Sequence, residues 1–288
     1  MSTPLDPRRY AYRSDLAAES LREMVTAESY AAGETRQVVH SATPLRAEPN
    51  PRSSWTTEVL FGELVTVYEE KDGWAWVQLA RDDYVGYVRP GAISADVKPP
   101  THRVRALGTF LYPAAEVKAP PSMHLGMTAD LSVVEMGVAF ARLADGSFVP
   151  SRHISELGRH ALDFVDIAER FMGTPYLWGG KTRLGLDCSG LVQVALHASG
   201  AECPRDSDMQ EAELGEKLEA GSDLDALQRG DLVFWKGHVG IMTNAFFLLH
   251  ANAHHMAVAI EPLRAAVDRN ARAGQDITAI RRFAARAG

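Results

Sequence analysis

Period-two alternation dominates the chain from residue 35 to about residue 93. Leu64-Val65-Thr66-Val67-Tyr68 alternates, Glu69 to Gly73 reads as a turn, and Trp74-Ala75-Trp76-Val77-Gln78-Leu79 resumes the pattern, as strands with one buried face do. Trp74 and Trp76 then share a face. A second β segment follows at a nearly fixed offset, 126 − 62 = 64 residues: Gly62, Val67, Gly73, Trp76 and Leu79 are matched by Gly126, Leu131, Gly137, Phe140 and Leu143. The run Gly86-Tyr87-Val88-Arg89-Pro90 recurs as Gly146-Ser147-Phe148-Val149-Pro150, slightly closer. Agreement of glycine, aromatic and aliphatic positions in order predicts a duplication, two small β-barrels joined near Pro99-Pro100, where no central strand can run. Residues 1–33 are polar and rich in Ala, Arg and Glu, with a weak helical stretch at Ser14 to Ala31, and read as an arm packed on the rest. After Ser151 the period turns helical. His160 to Met172 sets Ala161, Leu162, Val165, Ala168, Phe171 and Met172 on one stripe with Gly173 as the stop, and a second helix is predicted from Cys188 to Ser199. Strand-like runs return at Asp231 to Trp235, Val239 to Thr243 and Phe246 to His250. The expected division is an arm over 1–33, barrels over 34–98 and 99–155, and an α+β domain over 156–288.

Composition narrows the function classes. Hydrophobic residues make up 46% and charged ones 23% of 288 residues, which argues against a disordered, collagen-like or coiled-coil chain. With 30 basic against 37 acidic residues and no Lys/Arg run, no nucleic-acid partner is expected, because phosphate binding needs a basic surface. Two cysteines, Cys188 and Cys203, cannot build a multi-bridge scaffold or a four-cysteine zinc site. The longest apolar run near a membrane segment, Ala245 to Leu249, is far below the roughly 20 residues of a spanning helix, so no membrane partner is expected either. The first twenty residues hold no apolar stretch of the signal-peptide kind. A protein of the reducing cytoplasm with two free thiols is therefore expected. The sequence leaves the oligomeric state open.

Candidate chemistry centres on residues 173–190, GTPYLWGGKTRLGLDCSG. They place Cys188 at the start of a predicted helix behind a glycine-rich loop. Helix N-terminal N–H groups and the dipole stabilise a thiolate and can hold an oxyanion. The alternative is a small buried thiol packed like alanine. Gly179, Gly180 and Gly190 favour chemistry, since they let a substrate backbone approach. His238 opens a strand after a glycine turn in GDLVFWKGHVGIM, and His250 closes the next apolar run twelve residues later. An antiparallel hairpin would bring both rings to one end of the sheet, with His238 serving the thiol and His250 orienting His238.

The motifs DCSGLVQ, PRDS-x-x-Q at Pro204 to Gln210, GDLVF at Gly230 to Phe234, HVGI at His238 to Ile241 and LLHA at Leu248 to Ala251 together resemble the NlpC/P60 cysteine peptidases. These are papain-like enzymes acting on bacterial cell-wall peptides. The resemblance implies Cys188 as nucleophile, His238 as general base and His250 as third member, with no metal or cofactor. The paired barrels resemble the bacterial SH3-like domains carried by the family's γ-D-glutamyl-L-diamino acid dipeptidyl-peptidases. Their implied substrate is a murein stem peptide with a free N-terminal L-alanine, cut between γ-D-glutamate and diaminopimelate or lysine in cell-wall peptide recycling. Positions matching the family's substrate site are Tyr176, Asp187, Ser189, Asp206 and Ser207, to which the first barrel would add Tyr84 and Glu58. Asp187 and Asp206 offer carboxylates for a substrate ammonium, although either residue can also cap a helix.

Three rival readings have discriminators. A metal site from His250, His254 and His255 lacks an HExxH pattern or a cysteine partner. A wall-peptide binding module without catalysis would not need Cys188 between Asp and Ser at a helix start. A general wall endopeptidase, amidase or acyltransferase on the same fold would differ in the substrate it accepts.

Overall fold

The alternating run that carries Trp74 and Trp76 lies inside the largest sheet of the N-terminal half. The computed structural model describes residues 5–218 and 224–283, and the chain divides into two units between Leu157 and Gly158. Ahead of the large sheet, the arm forms two short parallel strands, β1 (Leu16–Ala18) and β2 (Ser29–Ala31), with a 3-10 turn at Glu19–Leu21. The helix expected over Ser14 to Ala31 is not formed. An isolated helix of this length is marginal, whereas here Ala11, Leu16, Ala18 and Leu21 are buried against Trp76. Arg13 stacks 4.3 Å from the Trp76 ring and pairs with Glu69 at 2.8 Å. Tertiary burial outweighs a weak propensity.

Seven strands follow: β3 (Glu34–Val38), β4 (Ala42–Arg46), β5 (Trp55–Leu60), β6 (Leu64–Lys71), β7 (Trp74–Leu79), β8 (Val85–Val88) and β9 (Ile93–Ser94). They form an antiparallel sheet in the order β5-β4-β8-β7-β6-β3-β9. The β6–β7 hairpin turns at Asp72-Gly73, both at positive φ, the two-residue turn whose twist matches flanking strands. The next eight strands are β10 (His102–Val104), β11 (Gly108–Leu111), β12 (Met123–Gly126), β13 (Asp130–Leu131), β14 (Val133–Met136), β15 (Phe140–Leu143), β16 (Phe148–Pro150) and β17 (Ile154–Glu156).

The order of elements recurs. The β6-β7-β8 meander runs through a 3-10 turn at Pro90–Ala92 into β9, which pairs with β3. The β14-β15-β16 meander runs through a 3-10 turn at Ser151–His153 into β17, which pairs with β10. The 64-residue offset thus superimposes equivalent turns, Gly73 on Gly137. The second set is nevertheless split into three small sheets, and no sheet among the described residues closes on itself. Strands of two to four residues leave too few ladder bonds to close one.

The two strand sets meet at Gly62. Asp130 N–H donates to the Phe61 carbonyl at 2.9 Å, and Arg81 bridges Glu63 and Asp130. Gly62 has φ +81, and a Cβ there would lie 2.0 Å from the Asp130 carbonyl oxygen. Gly62→Ala is therefore expected to cost this unit about 2–4 kcal/mol, combining left-handed strain with a backbone clash. Denaturant unfolding measures it; an unchanged midpoint would mean that the junction yields freely.

The second unit begins with α1 (Phe164–Glu169), capped by Asp163. It is shorter than the expected His160 to Met172 helix, and Leu162 is fully exposed instead of lying on an apolar stripe. A hairpin of β18 (Lys181–Thr182) and β19 (Gly185–Leu186) leads into α2 (Cys188–Ala198), and α3 (Ser207–Glu213) follows. Next come β20 (Glu216–Leu218), β21 (Leu232–Trp235), β22 (His238–Met242), β23 (Phe247–Asn252), β24 (Ala257–Pro262), α4 (Leu263–Arg272) and β25 (Ile277–Arg282). The sheet is antiparallel, ordered β20-β25-β21-β22-β23-β24. Residues Cys188 to His197 of α2 are all buried, as befits a helix that is apolar on most sides. On the sheet, α4 covers Met242 and Leu248 with Leu263 and Ala266. Among the described residues no helix is long and apolar enough to cross a membrane.

Candidate active site

Cys188 is the first residue of α2, and its neighbours fix it from several sides. The Asp187 side chain caps the helix by accepting from Gly190 N–H at 2.7 Å and also accepts from Gly179 N–H at 2.7 Å. Arg205, buried beneath the loop, donates to Asp187 Oδ2 and to Ser189 Oγ, each at 2.7 Å. The carboxylate offered by sequence to a substrate ammonium is thus occupied internally: Asp187 caps the helix and is clamped by Arg205. Ser189 is likewise buried and held by Arg205. Gln210, last of the PRDS-x-x-Q run, donates to the carbonyls of Ser189 and Pro204 at 3.0 and 2.9 Å and ties α3 to the first turn of α2.

The glycines around the cysteine also serve the fold. A Cβ on Gly190 would lie 2.3 Å from the Gly180 carbonyl oxygen, and one on Gly180 would lie 2.4 Å from that of Gly185. These absences let the loop lie directly on the helix start. Tyr176 anchors the loop through its N–H to the Met256 carbonyl at 2.9 Å. Burial, with the Cys188 and Asp187 charges, pushes the Tyr176 hydroxyl up to about 12, so it remains a proton donor beside the thiol.

His238 opens β22 and His250 lies in β23. Side chains alternate along strands, and Met242 opposes Leu248 in the β22–β23 ladder while Leu248 opposes Glu261 in the β23–β24 ladder. His238, Leu248, His250 and Glu261 therefore share the face covered by α4. The β22–β23 pairing runs only through Ile241 and Met242. Beyond it the Val239 N–H bonds the Cys188 thiol. His238 Nε2 lies 2.8 Å from His250 Nδ1, and His250 Nε2 lies 2.8 Å from Glu261 Oε1. Arg269 of α4 pairs with both Glu261 oxygens.

Burial sets the resting protonation. It pushes the Cys188 thiol up to about 12, with Asp187 adding to the effect and the Val239 and Ser189 N–H groups opposing it. It pushes His238 down to about 3, helped by His250 and Arg269 and opposed by Glu261. It pushes His250 down to about 4, with Glu261 again opposing. A neutral thiol and neutral imidazoles form the resting state at neutral pH. Burial raises Glu261 as well, but Arg269 and His250 outweigh it and hold the carboxyl at about 2.

Asp206 and Ser207 stand half-buried at the start of α3, with Asp206 at the N-cap position. Glu58 (β5) and Tyr84 are buried in the N-terminal unit. No disulfide joins Cys188 and Cys203, both of which are buried. His250, His255 and Glu261 bring one ligand atom each within 4.8 Å of one another. All three are already engaged, His255 by Asn252 at 3.0 Å and Glu261 by Arg269. Sequence reasoning missed Glu261, Arg269 and the role of Arg205. The first two carry no motif, while Arg205 stood inside PRDS.

A cysteine at a helix start and two hydrogen-bonded histidines on adjoining strands are the arrangement expected of a papain-like cysteine hydrolase. Residues 45–93 match the family described as bacterial dipeptidyl-peptidase Sh3 domain, and residues 173–271 match the NlpC/P60 family. A γ-D-glutamyl-L-lysine dipeptidyl-peptidase of Bacillus subtilis is 30% identical over 226 residues, 68% of this chain and 71% of that protein. Dipeptidyl-peptidase 6 of Lysinibacillus sphaericus is 26% identical over 241 residues, 75% of this chain and 86% of that protein. The crystal structure of an NlpC/P60 family protein from Bacillus cereus shares the fold, with TM-score 0.73, 19% identity and coverage of 87% of this chain and 99% of the other. The chain belongs to the NlpC/P60 family and is a peptidase, with an SH3 domain ahead of its papain-like domain.

Proposed function

We propose that this peptidase hydrolyses the bond between γ-D-glutamate and the following diamino acid, diaminopimelate or lysine, in murein stem peptides that begin with a free L-alanine. The observation that carries the reading is Cys188 at the start of α2, its thiol bonded by the N–H of Val239, which follows the His238 that hydrogen-bonds His250. The named activity of the Bacillus subtilis relative supports the choice of bond. In this reading residues 34–98 and 99–155 act as two SH3-like domains ahead of an α+β catalytic domain over 156–288. Released wall peptides are its substrates, so it works in their recycling in the cytoplasm.

The chemistry starts with proton transfer from Cys188 to His238. The thiolate attacks the γ-carbonyl carbon, and N–H groups at the start of α2 with the Tyr176 hydroxyl steady the oxyanion. His238 returns the proton to the leaving amine as the C–N bond breaks, which releases the diamino acid and leaves a thioester. Water, deprotonated by His238, then displaces the thiolate to give the carboxylate product. Asp206 takes the substrate ammonium, a role Asp187 cannot share while Arg205 holds it. Ser207 serves peptide polar groups.

The test compares L-Ala-γ-D-Glu-diamino acid tripeptides with free and acetylated N-termini, products being read by mass. Acetylation is expected to lower kcat/KM by roughly 100-fold, the scale of one charge-assisted hydrogen bond. Equal rates would make the protein a general wall endopeptidase.

A further inference from the structure

We infer that Glu261 is a positioning residue for catalysis: held by Arg269, its carboxylate fixes the tautomer of His250 and through it that of His238. This inference rests on the assignment of Cys188 and His238 above. The geometry is a continuous chain of acceptors. An ionised carboxylate only accepts hydrogen bonds, so His250 must carry its proton on Nε2, 2.8 Å from Glu261 Oε1. Its Nδ1 is then a lone pair, and His238 must donate to it from Nε2 across 2.8 Å. His238 is left with a bare Nδ1, the atom that can take the thiol proton. Without Glu261, His250 is free to protonate Nδ1 and point that proton at His238, which would then turn its own lone pair away from the cysteine.

The strand itself departs from what folding alone would favour. On β24, Glu261 is 8% exposed while the neighbouring Ile260 is 37% exposed, an acid inside and an aliphatic outside. Such an inversion of the strand pattern marks a functional position. Arg269 reaches the carboxylate because α4 lies on the same face of the sheet, and its two contacts fix the oxygen that meets His250.

The charged groups around this chain set the signs expected from titration. Glu261 and Arg269 act on both histidines, His255 also acts on His250, and Asp187 and Arg205 act on Cys188 from the helix side. Removing the Glu261 charge disfavours imidazolium on His238, whereas removing Arg269 favours it. The acid limb of kcat/KM should therefore move to lower pH in Glu261→Gln and to higher pH in Arg269→Ala, each by about one unit at most.

The full chain and the tripeptide substrate test the inference. Glu261→Ala is expected to lower kcat about 100-fold with KM nearly unchanged. Glu261→Gln, which keeps an acceptor oxygen without the charge, should lower it about 10-fold. Nitrogen-15 NMR of the imidazoles should show His250 protonated at Nε2 in the unmutated protein and in Arg269→Ala, and partly at Nδ1 in Glu261→Ala. A purely structural role would lower the melting temperature without switching the tautomer or producing opposite pH shifts. If Glu261→Ala does not fold, Glu261→Gln and Arg269→Ala carry the test. Full kcat in Glu261→Gln with an unmoved acid limb in both variants overturns the inference, as does a His250 protonated at Nδ1 without mutation. Cleavage by Cys188→Ala is a separate result, which would overturn the underlying assignment instead.

Discussion

Cys188→Ala is expected to lower turnover of the tripeptide by at least about 10,000-fold, the scale on which catalytic triads lose activity when a member is removed. No other group at the start of α2 can replace the nucleophile: Asp187 is occupied by Arg205, Gly179 and Gly190, and the Ser189 hydroxyl is held by Arg205. The fold should survive. Helix capping uses the Asp187 side chain and the Gly190 N–H, neither of which involves the thiol, and removing one buried sulfur should cost only about 1 kcal/mol. Intact-mass analysis of products, with a melting curve for each protein, checks both halves. A thiol alkylator should inactivate the unmutated enzyme and a chelator should not, since His250, His255 and Glu261 are committed to other partners. Turnover that persists in Cys188→Ala, or loss of activity on chelation, would reject the cysteine mechanism.

The parts of this site that were legible in the sequence are those whose chemistry coincides with a local pattern. Cys188 follows a helix-capping Asp187, and His238 and His250 sit at the ends of apolar runs that became β22 and β23. The β6–β7 hairpin was equally plain, because alternation flanked an Asp-Gly turn. The arm and the start of α1 were misread for one physical reason. Their helical signal was weak, and what decided the outcome was remote in sequence, Trp76 for the arm. The two predicted barrels came from a genuine repeat in the order of turns and strands, but repetition of turns does not dictate closure when strands shrink to two residues. Glu261 and Arg269 could not be read at all, since their meaning depends on β24 lying beside β23 and on α4 folding over the same face. The sequence offers the glycines near Cys188 as openings for substrate, yet at Gly180 and Gly190 the missing side chains are filled by the protein's own carbonyls.

Arg205→Ala is expected to destabilise the catalytic unit by about 3–5 kcal/mol, because it strands a buried carboxylate. The Arg205 and Asp187 side chains are 1% and 9% exposed, so water cannot replace the lost 2.7 Å contact. The Gly179 and Gly190 N–H groups and the long 3.4 Å bond from the Ser189 hydroxyl would remain, insufficient for a full charge out of water. The same substitution should slow alkylation of Cys188 at fixed pH. Arg205 favours the thiolate and Asp187 opposes it, so removing the cation leaves the opposing anion unbalanced. Adding Asp187→Asn removes that anion while keeping an oxygen that can cap α2, and the double variant should recover a large share of both losses. Denaturant unfolding and alkylation rates of the four proteins close the cycle. Strictly additive effects would mean that Arg205 acts through its contact with Ser189 or by filling space. Recovery in the double variant would assign to Arg205 the neutralisation of the charge that sets both the helix start and the nucleophile upon it.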